Sequence, residues 1–294
     1  MKTFDPTDTA TGIFHSYMLS VVAPRPIAFV SSIDKGGKVN LSPFSFFNAF
    51  GSNPATLVFS PARRVRDNTT KHTLENVQEH AEVVINIVNY NMVEQMSLAS
   101  TEYDKGVNEF IKAGFTEAPS VKVKPPRVAE APAAFECKVQ QIISMGARGG
   151  AANLVICEVI LAHFQDDIFD GESISPQRLD AVARMGGDWY CRAQGDALFQ
   201  LEKPVRKRGI GVDSIPAPIR NSSILTGNDL GKLGNVEALP TLEEVAAFRQ
   251  TNEVVVLEAL KLQQQAWQEA LHHIAKKYLA SGDSHTAWKA LLLQ

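Results

Sequence analysis

The chain has 294 residues, 45% of them hydrophobic and 21% charged, with a formal net charge of -3. A chain of this size and composition can bury a sizeable core without disulfides or a structural metal. The near-neutral balance gives no electrostatic reason to expect nucleic acid or an anionic membrane as partner, and no segment approaches the length that spans a bilayer. Residues 1–8 lack the apolar stretch of a signal peptide, so the expected location is the cytoplasm. Cys137, Cys157 and Cys191 are far apart, form no CxxC pair and no zinc spacing, and read as reduced packing thiols.

The first two-thirds reads as β-rich. Short apolar runs of strand type occur at 27–33 (IAFVSSI), 56–60 (TLVFS) and 83–88 (VVINIV), and again at 134–145 and 153–164. Asp34-Lys35-Gly36-Gly37 supplies residues tolerant of positive φ where a hairpin is needed. A helix is expected to open at Thr73 and run to about His80, with Leu74, Val77 and Ala81 at helical spacing. A second covers 92–98 and is followed by an acidic, glycine-containing loop at 102–106. Hairpin-joined strands with few long helices between them favour a closed antiparallel barrel over a parallel doubly wound sheet.

The character changes after Leu201. Residues 203–240 are rich in Gly, Pro, Asn and Ser and read as an irregular wrapping segment, in which Arg206-Lys207-Arg208 is a solvated basic run. Thr241-Leu242-Glu243-Glu244 has the form of a capping box. Leu257, Leu260, Trp267, Leu271 and Ile274 are spaced as one helix face, and a last helix starting at Asp283 or Ser284 presents Trp288, Leu291 and Leu292. The expected division is a β domain at 10–200 and an irregular linker with a C-terminal helical extension at 201–294.

Familiar catalytic motifs are missing: no GxGxxG, no GxxxxGK[ST], no HExxH and no nucleophile elbow. His272 and His273 are adjacent, point apart on a helix, and read as surface residues rather than metal ligands. No metal site and no catalytic side-chain pair is expected.

Two stretches carry the chemistry. Asn40-Leu41-Ser42-Pro43-Phe44-Ser45-Phe46-Phe47-Asn48 sets three aromatic rings among hydroxyls, amides and a proline. It suits a site gripping a flat, heteroatom-rimmed ring, and equally an irregular edge strand with packing phenylalanines. The run from Ser60 to Thr73 offers cations, hydroxyls and the free amides of a helix start, as a phosphate dianion requires. The plainer reading is a solvated basic loop with Thr73 as N-cap. Together they describe a flat polar-edged ring with a phosphate tail, which fits FMN and also pyridoxal phosphate.

Ala23-Pro24-Arg25-Pro26-Ile27-Ala28-Phe29-Val30-Ser31-Ser32, followed by the 40–48 stretch, resembles the opening of flavin reductase-like FMN-binding split-barrel proteins. Lys71-His72-Thr73-Leu74, Val84-Ile85-Asn86-Ile87-Val88, the strand at 154–163 and Arg184-Met185-Gly186-Gly187-Asp188-Trp189-Tyr190 follow in that family's order, over about residues 10–195. The resemblance implies a mainly β fold, a six-stranded antiparallel split β-barrel, that dimerises and binds FMN at or near the subunit interface. It implies that Ser42, Phe44, Ser45 and Asn48 contact the isoalloxazine or ribityl chain. Ser60 and Arg64 would lie beside the cofactor, Lys71 and Thr73 at its phosphate, and Arg184 and Tyr190 on the substrate side.

The implied activity is hydride transfer from NADH or NADPH to FMN, then onward to free flavin or another acceptor. The alternatives are a flavoredoxin-like electron carrier, an oxidase of pyridoxamine-phosphate type, and a barrel that has lost its flavin and serves as an interaction module. Residues 204–294 fall outside the shared domain, and such an extension could cover the flavin and exclude a nicotinamide.

Overall fold

The computed structural model describes residues 1–205 and 207–293; Arg206 of the basic run lies outside the described residues. The chain divides into two compact units, Met1–Phe199 and Gln200–Gln294.

The first unit is built on an antiparallel sheet of β1 (Ala28–Ile33), β2 (Val39–Phe44), β3 (Phe47–Ser52), β4 (Ala55–Phe59), β5 (Glu82–Ile87), β6 (Ala133–Ser144) and β7 (Asn153–Phe164). They lie side by side in the order β2-β1-β5-β6-β7-β4-β3. The sheet therefore has seven strands, not six. The additional one is β3, whose solvent-facing residues Asn48, Ala49 and Phe50 give it no apolar alternation in the sequence. β2 and β3 are joined only by Ser45 and Phe46, yet they stand at opposite edges. The sheet must roll until its edges meet at that corner, and because β2 and β3 do not pair, it stays open rather than closed. Register shifts between β6 and β7 at Ile156/Cys157 and Val159/Leu161 add the bend that the rolling needs.

Inside the roll lie Ala28, Val30, Phe44, Phe59 and Ile85, sealed by Leu74 and Val77 of a helix at His72–Glu79. The outer face of β1 and β2 packs Phe29 and Leu41 against Met92, Met96 and Phe110. With both faces covered, all six residues of β1 are buried, which explains the consecutive apolar residues Ala28, Phe29 and Val30 where one-sided burial would alternate, and why Ser31 and Ser32 are buried as well. Cys137 and Cys157 sit in the interior, and burial pushes the Cys157 thiol up to about 12.

Helices of this unit include α1 (Thr11–Val21), α2 (His72–Glu79), α3 (Val93–Leu98) and α4 (Glu109–Ala113). α1 buries no residue of its own. Its end is tied down by Arg25, whose Nη1 donates to the Leu19 and Val22 carbonyls at 2.6 Å and whose Nη2 donates to the Met185 carbonyl at 2.8 Å. Gly186 lets that loop approach: a Cβ there would fall 2.8 Å from the Ser20 Cα. Nearby, β8 (Val182–Arg184) and β9 (Tyr190–Arg192) form a small sheet with Arg25–Pro26.

The second unit has its own core, centred on Phe248, Leu271, Leu279, Trp288 and Leu291. Its helices include α5 (Gly227–Gly234), α6 (Leu242–Arg249), α7 (Gln264–Ala280) and α8 (Ser284–Leu291). The 203–240 segment is thus more regular than its composition suggests, since Thr226 and Asp229 cap α5 reciprocally, as Thr241 and Glu244 cap α6. Leu257 and Leu260 precede α7, whose buried stripe is Trp267, Leu271 and Ile274. His272 is not a surface residue: it is buried, and its Nδ1 lies 2.7 Å from the Ser222 hydroxyl. Among the described residues no helix is long and apolar enough to cross a membrane, and no group of His, Cys, Asp and Glu could hold a metal ion.

Candidate functional site

Alternation along β2 sends Asn40, Ser42 and Phe44 to one side and Leu41 and Pro43 to the other. The three inward residues meet different neighbours. The Phe44 ring packs in the barrel interior, 5.4 Å from the Phe59 ring. The Asn40 amide donates to the hydroxyl of fully buried Thr73 at 2.9 Å. Ser42, between them, opens onto a cleft it shares with Asn40, Arg64, Lys71, His72, Thr73 and the segment Ala99 to Tyr103.

The loop before α2 folds back through short polar contacts. Asn68 takes a left-handed φ of 59°, a conformation that Asn tolerates better than most residues. Asp67 accepts from the Thr69 amide at 3.0 Å and its hydroxyl at 2.6 Å, which holds its carboxyl at about 2. Arg64 is turned inward and donates to the Thr69 hydroxyl at 2.9 Å, to the Thr70 carbonyl, and from Nε to Glu102 at 3.0 Å. Glu75 fastens the far wall, accepting from Thr70 and from Lys105, each at 2.8 Å.

α2 opens at His72 rather than Thr73, so Lys71 is its N-cap and no side chain caps it. Thr73 occupies the first turn and does not serve as the cap. The positive end of the helix therefore faces the cleft with its leading amides uncovered by side chains. Lys71 is half-buried, and its ammonium makes no hydrogen bond or ion pair among the described residues. Burial, and then the neighbouring Arg64 charge, draws its pKa below the usual lysine value. Burial likewise lowers that of His72. A cation kept partly out of water, an open helix start and buried hydroxyls together favour an anion. The space is narrow: room for water-sized molecules amounts to about 20 Å³, little more than one ordered water needs. The Glu102 side chain, 43% exposed, stands in its wall.

Of the residues singled out in the sequence, Ser42, Arg64, Lys71 and Thr73 are brought together. Ser45 lies half-buried at the corner between β2 and β3, beyond the cleft's lining. Asn48 is exposed on β3, its Oδ1 accepting from the Ala49 amide at 2.8 Å. Phe44 faces the core, and Ser60 is buried with its hydroxyl accepting from the Asn153 amide at 3.2 Å. Arg184 and Tyr190 pair across β8 and β9, with the guanidinium 4.6 Å from the ring centre. Asn40 and His72 lay within the two chemical stretches without being assigned a contact, and sequence reasoning missed the wall at Ser100, Thr101, Glu102 and Tyr103. The signal was a cluster of short hydroxyls directly after a helix, where free backbone groups collect.

Residues 20–174 match the family described as the flavin reductase like domain. An uncharacterized protein of Aquifex aeolicus (strain VF5) is 35% identical over 195 residues, 66% of this chain and 97% of its own length. Among solved structures, nitrilotriacetate monooxygenase component B from Bacillus cereus superposes with a TM-score of 0.64 at 26% identity, covering 68% of this chain and 98% of that one. A split barrel domain protein from Shewanella frigidimarina NCIMB 400 superposes with a TM-score of 0.57 at 25% identity, covering 67% of this chain and 95% of its own.

Proposed function

As the chain belongs to the flavin reductase like family and is a flavin-related oxidoreductase, we propose that it binds FMN, with the phosphate in the Lys71 cleft, and transfers electrons from NAD(P)H to free flavin or another acceptor. The observation that carries this reading is the half-buried, unpaired Lys71 ammonium beside the uncapped start of α2. When bound, the flavin supplies the redox step, accepting a hydride at its N5 and passing electrons on.

The protein's own residues hold and orient. Lys71 and Arg64 offer charge to the phosphate, and Thr73 and the first amides of α2 offer hydrogen bonds. Ser42 lines the route from the phosphate toward the corner at Ser45, where the ribityl chain and ring edge are assigned. Asn48, exposed on β3, is assigned to the ring. Arg184 and Tyr190, stacked on one another, are assigned to the substrate side. No acid or base is asked of a side chain.

A homodimer belongs to the proposal. α1 leaves Ile13, Tyr17, Met18 and Val21 between 44% and 79% exposed, and Phe50 on β3 is 69% exposed, a face that a second copy would cover. Sedimentation should give twice the chain mass, and Ile13→Glu with Met18→Glu should give monomers.

The test of function is anaerobic addition of NADPH or NADH to the FMN-loaded protein. Loss of the oxidised flavin band within seconds, with turnover when free FMN is added, is the expected result. An unchanged band would favour the flavoredoxin-like carrier, and a protein that takes up no FMN would end the reading.

A further inference from the structure

We propose that Glu102 is an internal competitor for the phosphate end of the flavin, which makes the flavin an exchangeable ligand rather than a retained one. The inference rests on the FMN reading above. The Glu102 carboxylate spans two guanidinium groups, with Oε1 3.0 Å from Arg64 Nε and Oε2 2.7 Å from Arg66 Nη2. Two oxygens of one anion on two arginines is also how a phosphate would engage them. Glu102 therefore takes up Arg64, the guanidinium that lines the cleft, and leaves Lys71 as the cation open to an incoming ligand.

The competition follows from charge and space. The Glu102 side chain stands in the cleft's wall with its carboxylate already on Arg64, where an incoming phosphate would have to replace it. Binding must exchange an existing charge-assisted pair for a new one, which gains less than meeting an unpaired guanidinium. The Glu102 side chain is 43% exposed and can swing into water at small cost. After the phosphate leaves, the carboxylate returns to the arginines and opposes rebinding. A protein that hands reduced flavin to an acceptor needs such release, whereas a carrier that keeps its flavin does not.

The test compares wild type with Glu102→Gln, which keeps the volume and removes the charge at an exposed position. FMN and riboflavin affinities are measured by flavin fluorescence, and FMN release by stopped flow, at low and high salt. The variant should bind FMN about three- to tenfold tighter at low salt, chiefly through slower release, as loss of one nearby like charge predicts. Riboflavin, lacking the phosphate, should bind both proteins equally, and added salt should narrow the FMN difference. Glu102→Asp, which keeps the charge on a shorter side chain, should fall between the two. FMN affinity unchanged or weakened in Glu102→Gln, with FMN still preferred over riboflavin by wild type, would overturn the inference alone. A wild type that binds FMN and riboflavin equally would overturn the phosphate assignment and this inference with it.

Discussion

Lys71, the N-cap of α2, and Thr73, in its first turn, are two residues apart, yet their side chains do different work. Lys71 is partly exposed and unpaired, so Lys71→Ala should leave the fold alone and weaken FMN binding by about 1 to 3 kcal/mol, the worth of a hydrogen bond to a charged group. Riboflavin titrated in parallel should show no change; an equal loss for both flavins would move Lys71 away from the phosphate. The sign of the pH effect follows from its lowered pKa. Phosphate is attracted by the protonated form, so FMN affinity should fall as pH rises, beginning below the ordinary lysine range, and the fall should vanish in Lys71→Ala. Thr73 is fully buried and accepts the Asn40 amide. Its replacement by Ala leaves a buried donor unpaired and should cost about 1 to 3 kcal/mol of stability as well as flavin affinity. Thr73→Ser, which restores the hydroxyl, should recover most of both in thermal melts and titrations.

Between elements, a dense polar tie in the first unit is made by Glu136 on β6. Its fully enclosed carboxylate accepts from the amides of Val121, Lys122 and Val123 and lies 2.7 Å from His163 Nε2 on β7, pinning the 119–126 segment to the sheet. Burial alone would raise its pKa, but the bonds from the Val121 and Lys122 amides and from His163 outweigh it and hold the group below the ordinary carboxylate value. A carboxyl with a depressed folded pKa stabilises above its unfolded value, and that stability is lost as pH falls through the folded one. Glu136→Gln should lower stability by about 2 to 4 kcal/mol near neutral pH, with the difference from wild type shrinking in acid. A constant difference down to pH values below the carboxylate range would show that the loss is steric rather than ionic. Nothing in the sequence pointed to Glu136, because a single acid inside an apolar strand carries no spacing signal. Most strands were legible, since two-sided burial leaves consecutive apolar residues such as Ile27 to Val30. α1 was not, because its apolar residues stay exposed and follow no buried stripe. The cleft was half legible: Arg64, Lys71 and Thr73 are close along the chain and Ser42 stands in the aromatic stretch, but Glu102 and Tyr103 arrive through a loop after α3 that carries no such composition. Phe44 and Ser60 were named through the resemblance, and composition could not tell that the Phe44 ring packs in the core and that the Ser60 hydroxyl is buried against Asn153.

Taken whole, the chain is two cores on one polypeptide, and the flavin assignment belongs to only one of them. Every residue lining the Lys71 cleft lies between 40 and 109, inside the first unit. The family match also ends within it, at residue 174. The second unit closes its own apolar cluster around Trp288, whose indole Nε1 donates to the Leu233 carbonyl at 3.0 Å within that unit. The first unit likewise has apolar clusters of its own, around Phe29 and Leu41 and around Phe59 and Ile85, and a unit with its own core can fold alone. A chain ending at residue 199 should therefore fold cooperatively and bind FMN with a Kd within about threefold of the full chain, a difference under 1 kcal/mol. NADPH-driven reduction is the separate measurement. If the second unit screens the flavin, reduction should be faster in the shortened chain while FMN affinity holds. If it takes no part at the site, both quantities should stay together. A shortened chain that folds but loses FMN would mean that residues 200–294 complete the flavin site, and the assignment of that site to the Lys71 cleft alone would fall.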